Sequence, residues 1–231
     1  MILLDIEGTT TPIAFVTETL FPYARTHLTT FLEREGGSSQ VVGTIERLRR
    51  EFEADDEARG QIRGWSVIAY AEWLMDRDRK SAALKDLQGR IWQDGYRNGS
   101  LAGQVFEDVP RALARWHAAG VPVAIYSSGS VLAQQWLFRT CEGGDLTPLI
   151  RWHFDTAVGG KRDPASYTRI AGMTGVAAAK ITFVSDVVAE LDAARAAGLR
   201  TVLSVRPGNA RQPPHDHRIV TSFDEIELPS A

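Results

Sequence analysis

The sequence predicts an α/β fold in which a parallel sheet core is interrupted, after its first strand, by a helical insert. Two observations predict this class. After residue 103, short apolar strand patterns alternate with helix patterns, which favours a parallel sheet covered by helices on both faces. Between residues 14 and 102 the apolar spacing is helical. We therefore expect residues 1–13 and 103–231 to form the core and residues 14–102 to form a helical cap.

The elements before residue 103 are one strand and a series of helices. The first strand is the apolar run from residue 2 to residue 4, which stops at Asp5. From about Thr17 the apolar positions recur at helical spacing in roughly four segments. The polar stretches that divide these segments are EGGSS, DDEARGQIRG and RDRKS. A run of helices with no strand between them predicts a cap rather than part of the sheet.

The elements after residue 103 are mainly strands and helices in alternation. The first is the helix DVPRALARWHAAG, with Asp108 as its predicted N-cap and Pro110 in its first turn. The predicted strands are VPVAIY, KITFVSD, RTVLSV and RIVTSF, and the predicted helices among them are SVLAQQWLFRT and VVAELDAARAAG. This order indicates a Rossmann-like parallel sheet, in which ligands bind beyond the carboxyl ends of the strands.

The composition is that of an ordinary globular protein and narrows the range of partners. Of the 231 residues, 44% are apolar and 24% charged, and the net charge of −3 gives no reason to expect nucleic acid or an anionic membrane. One cysteine, Cys141, excludes an intramolecular disulfide and fits a reducing compartment. The apolar start MILL is too short for a signal segment or a membrane span. We expect a cytoplasmic monomer.

Polar side chains follow three of the predicted strands at the point where each strand ends. The first strand is followed by Asp5 and Glu7, VPVAIY by Ser127 and Ser128, and KITFVS by Asp186. Carboxylate oxygens suit magnesium, while hydroxyls beside the N–H groups of a helix start suit a phosphate oxygen. The sequence therefore predicts phosphoryl transfer that uses a carboxylate nucleophile and a magnesium ion.

One lysine is placed to join this site. Lys161 follows Gly159 and Gly160 and precedes a predicted helix, and we expect this loop to be flexible enough to bring the ammonium to a phosphate. Most lysines are solvated, so we also expect the charge of Lys161 to contribute little to folding.

Four segments of the chain, in this order, resemble the motifs of the haloacid dehalogenase superfamily: DIEGTT, IYSSGS, GGKRDPASY and FVSDVVAELDAARAAG. With LFPYAR and VRPGN added, the chain is similar over nearly its whole length to one branch, the enolase-phosphatases (acireductone synthases) of the methionine salvage pathway. It differs from most phosphatases of the superfamily in having Glu7 where they have aspartate.

The resemblance implies a two-step reaction on a small phosphorylated substrate, 2,3-diketo-5-methylthiopentyl-1-phosphate. Enolisation comes first and phosphate hydrolysis second, with one Mg²⁺ per chain. The implied metal ligands are Asp5, Glu7 and Asp186, with Glu7 binding through its backbone carbonyl, and Asp5 is also the implied phosphoryl acceptor. The residue that takes the α-proton stays open between Glu7 and a metal-bound water.

The same resemblance implies roles for four further residues. Ser127 and Ser128 would hold the substrate, and Lys161 would bind its phosphate as a catalytic residue. Glu190 falls at the second acidic position of the fourth motif, where it could orient the ligands of the metal from the first turn of a helix.

Three other function classes stay open on the sequence alone. A generic magnesium-dependent phosphatase of small metabolites would share every catalytic residue and differ in its cap pocket. A hydrolytic dehalogenase would need no magnesium. A dinucleotide-binding module would need G-x-G-x-x-G after the first strand, which DIEGTT lacks. Aromatic residues of the cap are most simply core, although any of them could line a pocket for the methylthio group: Phe15, Tyr23, Trp65, Trp73 and Trp92.

Overall fold

The computed structural model describes residues 1–227, and a six-stranded sheet lies at the centre of the chain. Its strands are β1 (Ile2–Leu4), β2 (Val123–Tyr126), β3 (Trp152–Phe154), β4 (Thr182–Ser185), β5 (Arg200–Ser204) and β6 (Arg218–Val220). All five pairings are parallel, and the spatial order is β3-β2-β1-β4-β5-β6. The predicted α/β class with a Rossmann-like parallel sheet is confirmed.

The first strand, β1, lies in the middle of the sheet between β2 and β4. Its three side chains are fully buried because they alternate between the two faces of the sheet and both faces are covered. Ile2 and Leu4 pack into an apolar core that continues among the helices between β1 and β2, whereas Leu3 packs into the core on the opposite face. The strand therefore places the next residue, Asp5, at the centre of the carboxyl edge of the sheet.

Between β1 and β2 the chain is helical. A π-helical turn, Phe15–Leu20, precedes α1 (Phe21–Glu35), α2 (Ser39–Ala54), α3 (Asp56–Gln61), α4 (Val67–Asp76) and α5 (Ala82–Asn98). The sequence predicts a connection where α3 lies. This short helix forms because the Asp55 side chain accepts a hydrogen bond from the Ala58 N–H and so caps it. The division of the chain into cap and core at residues 13 and 103 stays a prediction.

Four helices connect the remaining strands: α6 (Asp108–Ala118), α7 (Val131–Arg139), α8 (Pro164–Thr174) and α9 (Val188–Ala196). The strand β3 is not predicted by the sequence. It has only three residues, two of them half-buried, and it lies at an edge of the sheet, so no strand pattern marks it. Within residues 1–227, no helix combines the length and the apolar character needed to cross a membrane.

Asp108 begins α6 but does not cap it with its side chain. Its Oδ2 lies 2.8 Å from Nη2 of Arg206 in a buried ion pair and accepts a 2.5 Å hydrogen bond from the Phe223 N–H. The Arg206 guanidinium lies between the rings of Phe106 and Phe223, 4.7 Å from each centroid. The predicted N-cap role is wrong because partners 98 and 115 residues further along the chain take this carboxylate.

We expect Asp108→Asn to lower the free energy of unfolding by about 3 kcal/mol, because Arg206 would stay buried without an anionic partner. Burial would raise the pKa of Asp108, but the hydrogen bonds from Arg206 and Phe223 hold it below its ordinary value of 3.8. The stabilisation is therefore complete above that value and is lost as the pH falls through the lower, folded-state pKa. Urea unfolding should give the wild type a higher free energy of unfolding than Asp108→Asn at pH 7, and this difference should shrink in strong acid. Equal free energies of unfolding at pH 7 would contradict the prediction.

Candidate active site

The polar residues that follow β1, β2 and β4 lie side by side at the carboxyl edge of the sheet. The last residue of β1 is in register with Ile125 of β2 and Val184 of β4, so the three strands end at nearly the same level. Asp5, Ser127 and Asp186 come within two residues of that level. The parallel topology therefore brings the three predicted polar groups to one site, as expected for an open α/β sheet.

A buried ion-pair cluster lies at the middle of this edge. The Nζ of Lys161 is 2.6 Å from Oδ1 of Asp5 and 2.6 Å from Oε2 of Glu190. The same Oδ1 accepts a 2.7 Å hydrogen bond from the Ile6 N–H, and the same Oε2 accepts one of 3.0 Å from the Ser185 hydroxyl. One ammonium therefore joins the acid after β1 to the acid in the first turn of α9.

Both expectations about the setting of Lys161 need correction. Its side chain is only 10% exposed, so it is not a solvated lysine. Its loop is also held firmly: the Gly159 carbonyl accepts a hydrogen bond from the Tyr126 hydroxyl at 2.8 Å, and the Lys161 carbonyl accepts one from the Tyr167 hydroxyl at 2.6 Å. A side chain at Gly159, where φ is +128°, would begin 2.2 Å from the Ser166 hydroxyl. The glycine permits a tight, anchored turn rather than a flexible arm.

The two predicted substrate-binding serines differ in their surroundings. Ser127 is buried, and its hydroxyl accepts a 3.1 Å hydrogen bond from the Gly129 N–H, whereas Ser128 is exposed. Gln134 of α7 holds the turn from behind, because its amide donates 2.9 Å hydrogen bonds to the carbonyls of Gly129 and Phe154. The serines therefore lie on a fixed turn that leads into the N-terminus of α7, where a phosphate group can be accommodated.

Two more carboxylates of the site, those of Glu7 and Asp186, form no ion pair within residues 1–227. Burial, followed by the charge of Asp5, raises the pKa of Asp186 to about 7 and also raises that of Glu7. Within the described residues, neither carboxyl group accepts a hydrogen bond from another residue. With Asp5 and Glu190, the site holds four acids around the single ammonium of Lys161. Such an excess of negative charge favours a bound cation.

The turn after Asp5 leaves one backbone oxygen free. The carbonyls of residues 5, 6, 8, 9, 10 and 11 each accept a hydrogen bond, while that of Glu7 accepts none within residues 1–227. In the same part of the chain, no group of three acidic, imidazole or thiolate side chains is arranged to hold a metal. The predicted set is of another kind, since it uses the carboxylates of Asp5 and Asp186 with the Glu7 carbonyl. Hard oxygen donors of this kind fit Mg²⁺.

Two side chains that donate hydrogen bonds to this turn from elsewhere in the chain were not predicted. Asn209 donates a 3.0 Å hydrogen bond from Nδ2 to the Gly8 carbonyl, and Arg206 donates one of 3.3 Å from Nε to the Thr9 carbonyl. Both come from the segment VRPGN, which follows β5. The segment contributes to the resemblance described above, but nothing in its residue types indicates which backbone it contacts.

A cavity of about 300 Å³ lies among the helices between β1 and β2, and none of the polar residues described above lines it. Its wall is formed by the π-helical turn, the start of α1, the end of α4 with the connection that follows it, and the start of α5: Thr17, Phe21, Pro22, Arg25, Leu74, Met75, Asp78, Arg79, Leu84 and Gln88. Among these, Asp78 lies close enough to Glu7 for its charge to raise the pKa of that carboxyl. None of the five aromatic residues considered above lines the cavity; Phe15, Trp73 and Trp92 are core.

Comparisons with known proteins show the family of the chain. Residues 1–198 match the family model for hydrolases described as haloacid dehalogenase-like hydrolase. The chain is 48% identical to Enolase-phosphatase E1 of Synechococcus elongatus, over 97% of this chain and 96% of that protein. It is 44% identical to a Vitis vinifera protein named probable bifunctional methylthioribulose-1-phosphate dehydratase/enolase-phosphatase E1 1, over 97% of this chain and 46% of that longer protein.

A solved structure extends the likeness to three dimensions. The crystal structure of the UTR4 protein of Saccharomyces cerevisiae superposes with a TM-score of 0.80 at 33% sequence identity. The superposition covers 98% of this chain and 99% of that one, so it includes the helices between β1 and β2 as well as the sheet. The matched hydrolase model and the near full-length identity to its relatives lead to one conclusion: the chain belongs to the enolase-phosphatase E1 family of haloacid dehalogenase-like hydrolases.

Proposed function

We propose that this chain is a bifunctional enolase-phosphatase that converts 2,3-diketo-5-methylthiopentyl-1-phosphate to the acireductone and inorganic phosphate in methionine salvage. The observation that carries the proposal is the arrangement of Asp5. Its Oδ1 is held by Lys161 and by the Ile6 N–H, while its Oδ2 accepts no hydrogen bond within the described residues. The proposal is also supported by relatives named Enolase-phosphatase E1, which match this protein over nearly the whole chain.

In the proposed phosphate step Asp5 is the nucleophile. Its free Oδ2 attacks phosphorus and forms a new phosphorus–oxygen bond. The bond from phosphorus to the substrate oxygen breaks, and that oxygen takes a proton from solvent and leaves as a hydroxyl of the acireductone. Water then attacks the phosphorus of the aspartyl phosphate and gives up a proton to solvent. The bond from phosphorus to Oδ2 breaks, which releases inorganic phosphate and restores the carboxylate. Lys161 neutralises charge on the transferring group, and Glu190 holds its ammonium from the other side. Ser127 and Ser128 bind phosphate oxygens at the start of α7.

The proposed magnesium ligands are the carboxylates of Asp5 and Asp186 and the carbonyl of Glu7, with one ion per chain. A bound Mg²⁺ would supply a Lewis acid for the phosphate oxygens and for the developing enolate. The free Glu7 carbonyl and the unpaired Asp186 carboxyl described above support this assignment.

The Glu7 side chain is the proposed base for enolisation. Its carboxyl group has no hydrogen-bond partner among the described residues, and it lies near Asp78 at the wall of the cavity. It would take the α-proton from the substrate while the carbonyl of the same residue serves the metal. A water molecule is the alternative base.

Glu7→Gln tests whether the side chain is the base while the backbone carbonyl binds the metal, because glutamine keeps the carbonyl and removes only the basic carboxylate. We expect conversion of the diketo-phosphate to fall by roughly two orders of magnitude or more, the scale of general-base catalysis. Hydrolysis of p-nitrophenyl phosphate needs no enolisation and should fall much less. Both rates are measured with Mg²⁺ in excess. An equal loss on the two substrates would instead place Glu7 in the phosphate step.

We also propose that residues 14–102 act as the cap that selects the substrate. Lys85 of α5 donates a 3.1 Å hydrogen bond to the hydroxyl of Thr156, in the loop after β3, and so joins the cap to the core. The apolar part of the cavity wall, with Phe21, Leu74 and Met75, suits a methylthio group. A generic phosphatase of the same superfamily would be distinguished by this pocket alone.

The deciding experiment supplies the diketo-phosphate with Mg²⁺ and follows inorganic phosphate together with the ultraviolet absorbance of the enol and the acireductone. Successive enol and acireductone signals with stoichiometric phosphate support the proposal. Phosphate without an acireductone signal, or equal rates on unrelated sugar phosphates, would favour the generic phosphatase. Full activity after EDTA would indicate dehalogenase-like chemistry.

We further propose that the protein is a cytoplasmic monomer that binds neither nucleic acid nor membranes. Light scattering tests the oligomeric state, and cell fractionation tests the localisation.

A further inference from the structure

The segment VRPGN touches the catalytic edge of the sheet from outside the four family motifs. Its last residue, Asn209, donates from Nδ2 to two carbonyl oxygens, that of Gly8 at 3.0 Å and that of Ser204 at 3.2 Å. Two acceptors at the same end of the amide fix its orientation, because the flipped amide would set oxygen against oxygen. Asn209 thus ties the turn after β1 to the end of β5.

The tie acts on the peptide next to the free Glu7 carbonyl. Gly8 donates its N–H to the Thr11 carbonyl at 2.8 Å, and its own carbonyl is held by Asn209. A trans peptide is planar, so fixing the Gly8 N–H also fixes the Glu7 carbonyl on the opposite side of the same peptide. Because both peptides that flank Gly8 are held, the Glu7 oxygen has little freedom to turn.

The backbone at Gly8 is packed closely against both Asp186 and Asn209. Its φ is +71°, and a side chain there would begin 2.4 Å from Oδ2 of Asp186 and 3.1 Å from Oδ1 of Asn209. The Asn209 Oδ1 is buried and has no hydrogen-bond donor within residues 1–227, which costs stability. A contribution to stability alone therefore does not account for the asparagine at position 209. Its hydrogen bond to Gly8, which keeps the turn beside Asp186, does account for it.

We propose that Asn209 is a positioning residue for magnesium: by clamping Gly8, it holds the Glu7 carbonyl in the direction in which it binds the ion together with Asp5 and Asp186. This inference rests on the magnesium site of the proposed function. In this proposal Asn209 acts on the metal only through the turn.

The test compares magnesium binding by the substrate-free protein, measured by isothermal titration calorimetry, in three variants. Asn209→Ala removes the clamp. Asn98→Ala is the matched control, since Asn98 is the only other asparagine in the sequence. It lies at the exposed end of α5, and within residues 1–227 its side chain accepts a hydrogen bond only from the Ser100 N–H. We expect Asn209→Ala to weaken magnesium binding by about tenfold or more, the usual effect of losing a group that orients a metal ligand. The control should bind as the wild type does.

Asn209→Asp keeps the shape of the side chain and sharpens the test. An extra negative charge alone would strengthen magnesium binding, whereas a carboxylate facing two carbonyl oxygens breaks the clamp and should weaken it. In the Asn209 variants the Mg²⁺ concentration needed for half-maximal rate should therefore rise. Their kcat at saturating Mg²⁺ should stay within a few-fold of the wild-type value. Wild-type affinity in Asn209→Ala, or tighter binding in Asn209→Asp, would overturn the proposal.

The two proposals fail separately in this design. If the wild type binds Mg²⁺ and turns over the diketo-phosphate while the Asn209 variants bind Mg²⁺ equally well, only the positioning role is wrong. If the wild type binds no Mg²⁺, the magnesium-dependent function and the positioning role are both wrong. Thermal melts without metal show whether each variant is folded before either conclusion is drawn.

Discussion

Asp5→Asn should abolish phosphate release while leaving the fold unchanged. The asparagine oxygen can occupy the place of Oδ1, where it still accepts from the Ile6 N–H and from Lys161. The amide nitrogen then occupies the place of Oδ2, which is the atom proposed to attack phosphorus, and an amide nitrogen is neither a useful nucleophile nor a magnesium ligand. We expect kcat to fall by at least about three orders of magnitude, as when a nucleophile is removed from other hydrolases.

The matched control is Asp216→Asn, the same chemical change at an exposed residue that pairs with Arg195 away from the site. Its kinetics should equal those of the wild type. Phosphate release is measured with Mg²⁺ in excess, and circular dichroism melts confirm folding. More than a few per cent of wild-type activity in folded Asp5→Asn would show that another group accepts the phosphoryl unit.

The place of Asp5 could be predicted because it depends on local pattern and on one general rule. An apolar run that stops at an acid indicates a buried strand, and the carboxyl ends of parallel strands meet at one edge. The same rule brings Ser127 and Asp186 to the site. Most helices and strands likewise follow from spacing and turn residues. The exceptions are two short elements. The three residues of β3 show no strand pattern in the sequence, and α3 forms because the Asp55 side chain caps it.

What could not be predicted depends on partners far away in the sequence. The predicted cap residue Asp108 instead pairs with Arg206, which no local signal indicates. Asn209 looks like an ordinary turn residue after Pro-Gly, and only the folded chain shows that it reaches Gly8, 201 residues earlier. The burial of Lys161 is of the same kind, since its ammonium pairs with Asp5 after β1 and with Glu190 in α9.

Lys161→Ala is expected to impair both activity and stability, in contrast to what a solvated lysine would do. The substitution leaves Asp5 and Glu190 buried without the ammonium that lies 2.6 Å from each. We expect the free energy of unfolding without metal to fall by about 3 kcal/mol, since breaking a buried ion pair strands its partner charge. We expect kcat/KM to fall by roughly two orders of magnitude or more, the scale for losing one preorganised group that stabilises charge. Lys80→Ala, at an exposed lysine, is the control and should change neither.

A second substitution separates the two effects. In Lys161→Ala/Glu190→Gln, the carboxylate stranded by the loss of the lysine becomes a neutral amide, so part of the lost stability should return. The phosphate would still lack its cation, so kcat/KM should stay low. Lys161→Arg should rescue poorly, because a planar guanidinium is bulkier than the ammonium that fits between the two acids. Urea unfolding and steady-state phosphate release are measured on each protein. Recovery of activity in the double variant would mean that Lys161 serves only to neutralise Glu190, and wild-type kinetics in Lys161→Ala would remove it from catalysis altogether.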